Sequence, residues 1–403
     1  MRVLVASSSP SDRGQGITAY ARSLCEALAQ QGVEIHFLSP EPRDRSWLDG
    51  LGIACFAADQ NDDPVDACRR LLAYIAENEI DGVINNDNPY LQSVAPFLTC
   101  PMIAVGHMPG RSVAALACYQ HEWVDYVVTI SSDMQSAYVR KQGVPPTKCP
   151  IVYCGVPDPG EPSNREPAAS ADLRVVYAGG FSSNKGGKLV LEAVLAGEDC
   201  WRGVHLDWFG RVPDKVARRM EGLPWVTLHG RVPREQLHET LAHADAFVLS
   251  SYREGCPMAL LEAMSFGVVP ISSDGIGAMR WLVQHGRNGF ICQLADFASQ
   301  MNACIGHLRD HPKALAELKQ ASRDSYLDGL RSDQIATRML QLLGQPTVDR
   351  SQPPERIRVL RWHRPMSYES ARAPLADRIR IRLGLLRLGG TLERPAGEPG
   401  GRR

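Results

Sequence analysis

The stretch SSYREGCPMALLEAMSFGVVPISSD, residues 250–274, reads as the end of a strand, a loop, a helix, a glycine stop and the next strand. Pro257 is expected at the first helical position, where its missing N–H costs nothing, and Gly255 lets the backbone turn closely before it. The free N–H groups of Met258, Ala259 and their neighbours then point out of the helix start, which makes a ready site for a phosphate. Glu254 precedes that start and Glu262 lies about a turn and a half inside it. Two carboxylates around a phosphate-binding helix start suit hydroxyl groups on either side of the phosphate. A helical Glu is ordinarily a solvated face, but Glu262 is flanked by Leu260, Leu261, Ala263 and Met264, which argues against an idle surface position.

The same alternation of short apolar runs and helical stretches extends in both directions. Toward the C-terminal side it gives RVVYAG at 174–179, HLDWFG at 205–210, VTLHG at 226–230, AFVLSS at 246–251, VVPISS at 268–273 and GFIC at 289–292. The first half offers VLVA at 3–6, EIHFL at 34–38, GVIN at 82–85, MIAV at 102–105, YVVTI at 126–130 and PIVYC at 150–154. Ile17, Tyr20, Ala21, Leu24 and Leu28 fall at helical spacing over Ile17–Gln31, and Gly32 supplies the stop. Strands alternating with helices argue for doubly wound parallel sheets, whose ligands bind at the carboxyl ends of the strands. Between the two series, residues 155–172 hold four prolines and two glycines, a linker composition. The reading is therefore α/β: two Rossmann-like domains, 1–165 and 166–346, facing a central cleft, followed by an extension over 347–403.

Composition narrows the function classes. The 403 residues exceed one ordinary domain, and with 44% hydrophobic and 22% charged residues the chain is globular. With 44 basic and 45 acidic residues no bulk field draws it to nucleic acid. No apolar run is long enough to span a bilayer, and the start lacks a secretory apolar segment. Eleven cysteines without a CxxC pair fit neither a disulfide framework nor a zinc ribbon, so a cytoplasmic setting is expected. The charge is uneven, however. Residues 351–403 contain twelve Arg, no Lys and five acids, an excess of seven positive charges, which leaves the body with an excess of eight negative ones. Within this extension, PLADRIRIRLGLLRLGG at 374–390 mixes Arg with Leu and Ile, although its fit to a helical stripe is imperfect. The three expectations for 347–403 are a disordered extension, packing back on the acidic body, and peripheral contact with an anionic membrane surface.

Glu254 and Glu262 form an E-x7-E motif, and its setting resembles the retaining GT-B glycosyltransferases of glycosyltransferase family 4. The approach HGRVPREQLHETLAHADAFVLSSYREG and the later GRNGFIC strand share the resemblance, which runs over most of residues 1–345. It implies a nucleotide-sugar donor, a hydroxyl acceptor and transfer with retention of configuration, without a metal or other cofactor. It assigns the donor sugar hydroxyls to Glu254, the ribose to Glu262, and the cradle for sugar and diphosphate to the backbone of Gly255, Cys256, Met258 and Ala259. The turn SDRGQGITAYARSL at 11–24 is not a dinucleotide fingerprint, since Ala19 occupies the last glycine position. It does resemble the glycine loop of the family, which places Gly16 near the diphosphate.

Lys185, just after the first strand of the second domain, matches the lysine of the family's G-R-x-x-x-x-K turn, but Gly180 stands where the Arg would be. Lys188 and Arg211 are candidates for the missing cation. His107 ends a strand of the first domain, a position where the family carries a polar residue near the donor sugar, and is the third catalytic candidate with Glu254 and Lys185. Trp281 is a second departure, at a place where family members often have a Glu. Asp87, alone between asparagines in INNDNPY, is a poor Mg²⁺ ligand set and reads as a strand-end loop facing the acceptor. A sugar-nucleotide epimerase or hydrolase of the same fold and a catalytically degenerate donor-binding scaffold stay open as alternatives.

Overall fold

The computed structural model describes residues 1–7, 16–40, 45–58, 61–107, 111–160, 172–196, 198–361 and 388–395, which fall into two compact units. The first comprises residues 1–153 together with those from 333 onward, and the second residues 154–332.

In the first unit, β1 (Arg2–Ser7), β2 (Glu34–Ser39), β3 (Ala54–Ala57), β4 (Gly82–Asn86), β5 (Met102–Gly106) and β6 (Tyr126–Thr129) form a parallel sheet. Its order is β3-β2-β1-β4-β5-β6. Val3 to Ala6 are fully buried, because helices cover both faces of a parallel sheet and its central strands read as continuous apolar runs. The helix Gly16–Gln30 buries Tyr20, Ala21, Leu24 and Leu28, and Gly32 beyond it adopts φ +76. In the second unit, β7 (Leu173–Tyr177), β8 (Val204–Phe209), β9 (Val226–Gly230), β10 (Ala246–Leu249), β11 (Val269–Ser273) and β12 (Phe290–Cys292) take the order β12-β11-β10-β7-β8-β9. All of these pairings are parallel. Trp201, Trp208, Val175 and Ile271 lie in its core. In each sheet the winding reverses beside the first strand, between β1 and β4 and between β7 and β10. These are the two crevices where such sheets bind ligands.

The structure differs from the sequence reading in five places. PIVYC at 150–154 is not a strand: Pro150 has no N–H, and only Ile151 bridges to Thr129. The sixth strand is instead β3, ACFA, an edge strand with partly exposed side chains and no β-branched residue to announce it. Pro257 is the residue capping the helix Met258–Ser265 rather than its first member. The division of the chain also moves, from 165 to 153/154. Residues 156–160 already belong to the second unit, where Arg323 donates to Asp158 (2.7 Å) and Gly160 O (3.0 Å) and Tyr326 Oη donates to Val156 O. At the other end, the helix Ser332–Leu343 packs on the first sheet, where an added Cβ on Gly82 would stand 3.1 Å from Leu343.

The fifth difference concerns the Arg-rich helix read in the extension, whose residues 347–361 pack back on the first unit, as one of the three expectations has it. Asp125, fully buried, accepts from the Thr347 amide (2.8 Å), the Val348 amide (3.0 Å), the Met102 amide (2.8 Å) and Arg350 Nη2 (2.6 Å). Beyond it, β13 (Arg356–Leu360) pairs antiparallel with β14 (Leu388–Glu393), and the Leu360 amide donates to Ser93 Oγ at 2.8 Å. Leu388–Gly390, read as the end of an Arg-rich helix, are thus strand; the rest of that helix, 374–387, lies outside the described residues. No helix among the described residues is long and apolar enough to cross a membrane.

Burial pushes the Asp125 carboxyl up, yet the hydrogen bonds from Arg350, Met102 and Thr347 hold it below the usual carboxylate range. Arg350→Ala leaves that carboxylate buried without its cation, and is expected to destabilise the first unit by about 3–5 kcal/mol in urea denaturation at pH 7. A carboxyl whose folded pKa lies below its unfolded value stabilises above the unfolded value. That contribution is lost as pH falls, so the gap between wild type and variant narrows below about pH 4.

Candidate active site in the second unit

At the switch point of the second sheet, the turn after β7 and the loop after β10 are bound into one structure. The turn runs through Gly180 (φ +59) and Gly186 (φ +65). A side chain at Gly186 would collide with Ser250 O, so this approach of turn to loop requires glycine. Tyr177 Oη lies 3.1 Å from Gly180 O and 3.0 Å from Lys185 O, and Ser250 Oγ donates to Lys185 O at 2.7 Å. The Tyr252 amide donates to Asn184 O (2.8 Å) and Asn184 Nδ2 donates to Arg253 O (2.9 Å). The result is that Lys185 Nζ sits 2.6 Å from Glu254 Oε1, which also accepts from Ser251 Oγ at 2.6 Å. The Glu254 side chain is 10% exposed and that of Lys185 41%, so the carboxylate is buried while its cation reaches solvent. Both bonds fall on Oε1, and Glu254 Oε2 takes no hydrogen bond among the described residues.

The loop then enters the helix Met258–Ser265. Gly255 O accepts from the Ala278 amide, and Pro257 O accepts from the Leu260 and Leu261 amides. No side chain caps this helix, and the Met258 and Ala259 amides have no partner among the described residues. Cys256 is partly exposed beside them. Glu262, buried on this helix, is held by a residue that sequence reading missed. Arg234 places Nε 2.8 Å and Nη2 2.7 Å from Glu262 Oε1, and His238 Nε2 lies 3.7 Å from Oε2. The signal was present in PREQLHE, where Arg234 and His238 stand four apart on one face of a helix behind a proline. Ser251 was missed for a plainer reason, since nothing marks one serine among several as a carboxylate's partner.

The departure at Gly180 has a local cause. At Gly180 the backbone is left-handed, and an added Cβ would stand 3.2 Å from Arg211 N and O. The Arg211 backbone therefore lies directly against the turn, whereas Lys188 points into solvent beside Glu192. Trp281 is half exposed on the helix Met279–Leu282.

Gly16 and His107, the remaining sequence candidates, belong to the first unit. Gly16 opens its helix, and no described residue lies within 4 Å of where a side chain would stand. His107 is buried, with Nε2 3.0 Å from Asn86 Oδ1 and its ring edge-on to Tyr20 at 5.0 Å. Burial lowers its pKa to about 3, so the imidazole is neutral and fixed. No group of three His, Cys, Asp or Glu among the described residues is arranged to hold a metal ion.

Residues 172–310 match the family described as glycosyl transferases group 1, and residues 14–158 match glycosyltransferase family 4. The lipopolysaccharide 1,6-galactosyltransferase of Escherichia coli K12 is 22% identical over 347 residues, covering 78% of this chain and 93% of that enzyme. The N-acetyl-alpha-D-glucosaminyl L-malate synthase of Bacillus anthracis is 29% identical over 104 residues; that match covers 26% of this chain and 27% of that enzyme. Among solved structures, a glycosyltransferase from Rickettsia africae superposes with a TM-score of 0.72 at 12% identity, over 85% of this chain and 98% of that one. Anabaena HepE in complex with UDP and glucose gives 0.68 at 14% identity, over 85% and 99%. Matched on both sides of the 159–171 connection and folded as two Rossmann-like sheets of the GT-B type, the chain belongs to the group 1, family 4 glycosyltransferases.

Proposed function

We propose that the protein transfers a sugar from a nucleoside-diphosphate donor to a hydroxyl acceptor with retention at the anomeric carbon, and that it needs no metal ion. The observation that carries this reading is the Lys185–Glu254 pair, set at the carboxyl ends of β7 and β10 immediately before a helix start with unpartnered amides. Departure of the diphosphate develops negative charge. The Met258 and Ala259 amides with the positive end of the helix dipole, and the Lys185 ammonium, are the groups that stabilise it. Arg211, whose backbone lies against Gly180, supplies the second cation in place of the family's Arg. Glu254 Oε2 accepts from a donor sugar hydroxyl and the Glu262 carboxylate from the ribose, with Ser251 and Arg234 fixing the two carboxylates. Structures of this fold crystallised with UDP and glucose support a nucleotide-sugar donor. The acceptor is a cell-surface polysaccharide or glycolipid intermediate, a reading supported by the similarity to a lipopolysaccharide 1,6-galactosyltransferase.

Incubation of the purified protein with radiolabelled UDP-glucose, UDP-galactose, UDP-N-acetylglucosamine and GDP-mannose tests the reading. Hydrolysis or transfer of one of them, with the product's anomeric configuration retained by NMR, is the expected result; binding without turnover points to a scaffold. With the matching nucleotide, Glu262→Ala is expected to weaken binding by roughly 1.5–3 kcal/mol in calorimetry, the value of a hydrogen bond to a charged group. Glu254→Ala acts mainly on turnover, and unchanged nucleotide affinity in the Glu262 variant removes the ribose assignment. Gly16→Ala meets no described residue and favours the helix, so a loss of donor affinity with unchanged melting temperature marks a close approach of the diphosphate to that backbone. Activity is expected to survive exhaustive EDTA treatment, whereas loss restored by Mg²⁺ or Mn²⁺ rejects the metal-free mechanism.

A further inference from the structure

The loop assigned to the donor carries a thiol that the proposed transfer does not use. Cys256 sits between Gly255 and Pro257, immediately ahead of the helix Met258–Ser265, and is partly exposed. Its thiol is hydrogen-bonded to that of Cys154, the first residue of the second unit, which is buried. Both backbones are pinned. On the Cys256 side, the Glu254 amide donates to Ile276 O (2.9 Å) and the Ala278 amide to Gly255 O (3.2 Å). Gly277 between them has φ +128, and a side chain there would collide with Glu254 O, so the two loops lie flush. On the Cys154 side, the Val156 amide donates to Leu330 O (3.2 Å), and Val156 O accepts from the Ser332 amide (2.9 Å) and Tyr326 Oη (3.0 Å). The thiols thus meet because two fixed segments, distant in sequence, bring them together.

Two thiols in contact, one enclosed and one reaching solvent, have the arrangement of an attacking cysteine and its resolving partner. Burial, and after it the bond to Cys256, push the Cys154 thiol well above the ordinary thiol range, so Cys154 keeps its proton and the attack falls to Cys256. We propose that Cys154 and Cys256 form a peroxide-responsive disulfide that reversibly closes the donor site of the second unit. The Cys256 thiolate attacks one oxygen of hydrogen peroxide and breaks the O–O bond, giving a sulfenic acid and hydroxide. The Cys154 sulfur then displaces the hydroxyl group from Cys256, forming the S–S bond, and its proton leaves with that hydroxyl as water. The two thiols lose two electrons, and one peroxide becomes two waters. The covalent bond draws the sulfurs inside their non-bonded contact distance, and the pinned backbones leave the loop no slack to absorb the pull. The shift passes to Glu254 on one side of Cys256 and to the Met258 and Ala259 amides on the other. Cytosolic disulfides are ordinarily transient and redox-sensing, which suits a pair that rests as free thiols. The effect on donor binding rests on the donor reading above; the bond itself does not.

The test treats the full chain with hydrogen peroxide and maps its peptides without reduction. Wild type is expected to yield a peptide pair joined through Cys154 and Cys256, which dithiothreitol separates. Affinity for UDP and GDP is read by calorimetry before and after treatment. For whichever nucleotide binds, it is expected to fall about tenfold or more, the worth of one hydrogen bond to a charged group, and to return with dithiothreitol. Cys154→Ala keeps the affinity of the reduced wild type and forms no such pair; Cys154→Ser serves the same comparison if the alanine variant does not fold. In either variant the Cys256 sulfenic acid lacks a resolving thiol, so continued peroxide carries it to the sulfinic acid and dithiothreitol no longer restores affinity. Absence of the joined peptides, or their presence with unchanged nucleotide affinity, overturns the proposal. So does a loss in the Cys154 variant that dithiothreitol reverses as fully as in wild type. Peptides joined through Cys292 and Cys304, a second thiol pair in hydrogen-bond contact, in place of these likewise overturn it. If the reduced protein binds neither nucleotide, the donor reading fails and with it the control of donor binding, whereas the mapped bond still decides the pair.

Discussion

The bond between Lys185 and Glu254 is the constraint around which the second unit's site is organised. A carboxylate with one-tenth of its side chain exposed is held at a strand end by a half-solvated ammonium and a serine hydroxyl. Removing a buried carboxylate from water is costly unless a cation and a hydrogen-bond donor are both supplied. Supplying them here requires the turn after β7 to lie on the loop after β10. That closeness explains the left-handed glycine at 186, the tyrosine and serine hydroxyls on Lys185 O, and the exchange of hydrogen bonds between Asn184 and Tyr252 and Arg253. The two groups assigned to the donor therefore preorganise each other. In the proposed reaction, a diphosphate at Lys185 would meet an ammonium already aimed by its carboxylate.

The architecture was legible because parallel strands buried on both faces announce themselves as apolar runs. VLVA, RVVYA and AFVL needed no structural help, and the helix start after EGCP followed from residue type and order alone. What escaped the sequence has a common physical origin. β3 is a strand only because β2 offers it an edge, and PIVYC fails as one only because Pro150 lacks a donor. The clamp of Arg234 on Glu262 joins residues 28 positions apart, and the bond of Lys185 to Glu254 spans 69. Residue chemistry indicates that such groups need partners, but only the course of the chain indicates which. Which part of the extension packs back was illegible for the same reason, since Arg350 looks like surface charge until Asp125 is found beneath it.

The two switch points hold their polar residues in opposite ways. In the second unit the carboxylates are paired in advance, with one oxygen of Glu254 left over. In the first, the strand end is fixed by asparagine side chains bonding to backbone, and the groups at its tip are left unmatched.

The return of the chain to the first unit has a consequence for how the protein is made. Asp125 and Arg350 are separated by 225 residues, with the whole second unit between them in sequence. At ordinary elongation rates of about 5–20 residues per second, the aspartate waits on the order of tens of seconds for its arginine. During that interval the second unit, contiguous in sequence, is complete and free to fold, while the first still lacks the helix at 332–343 and the segment that neutralises its buried charge. The sequence of the second unit is thus complete before that of the first, although the first begins earlier.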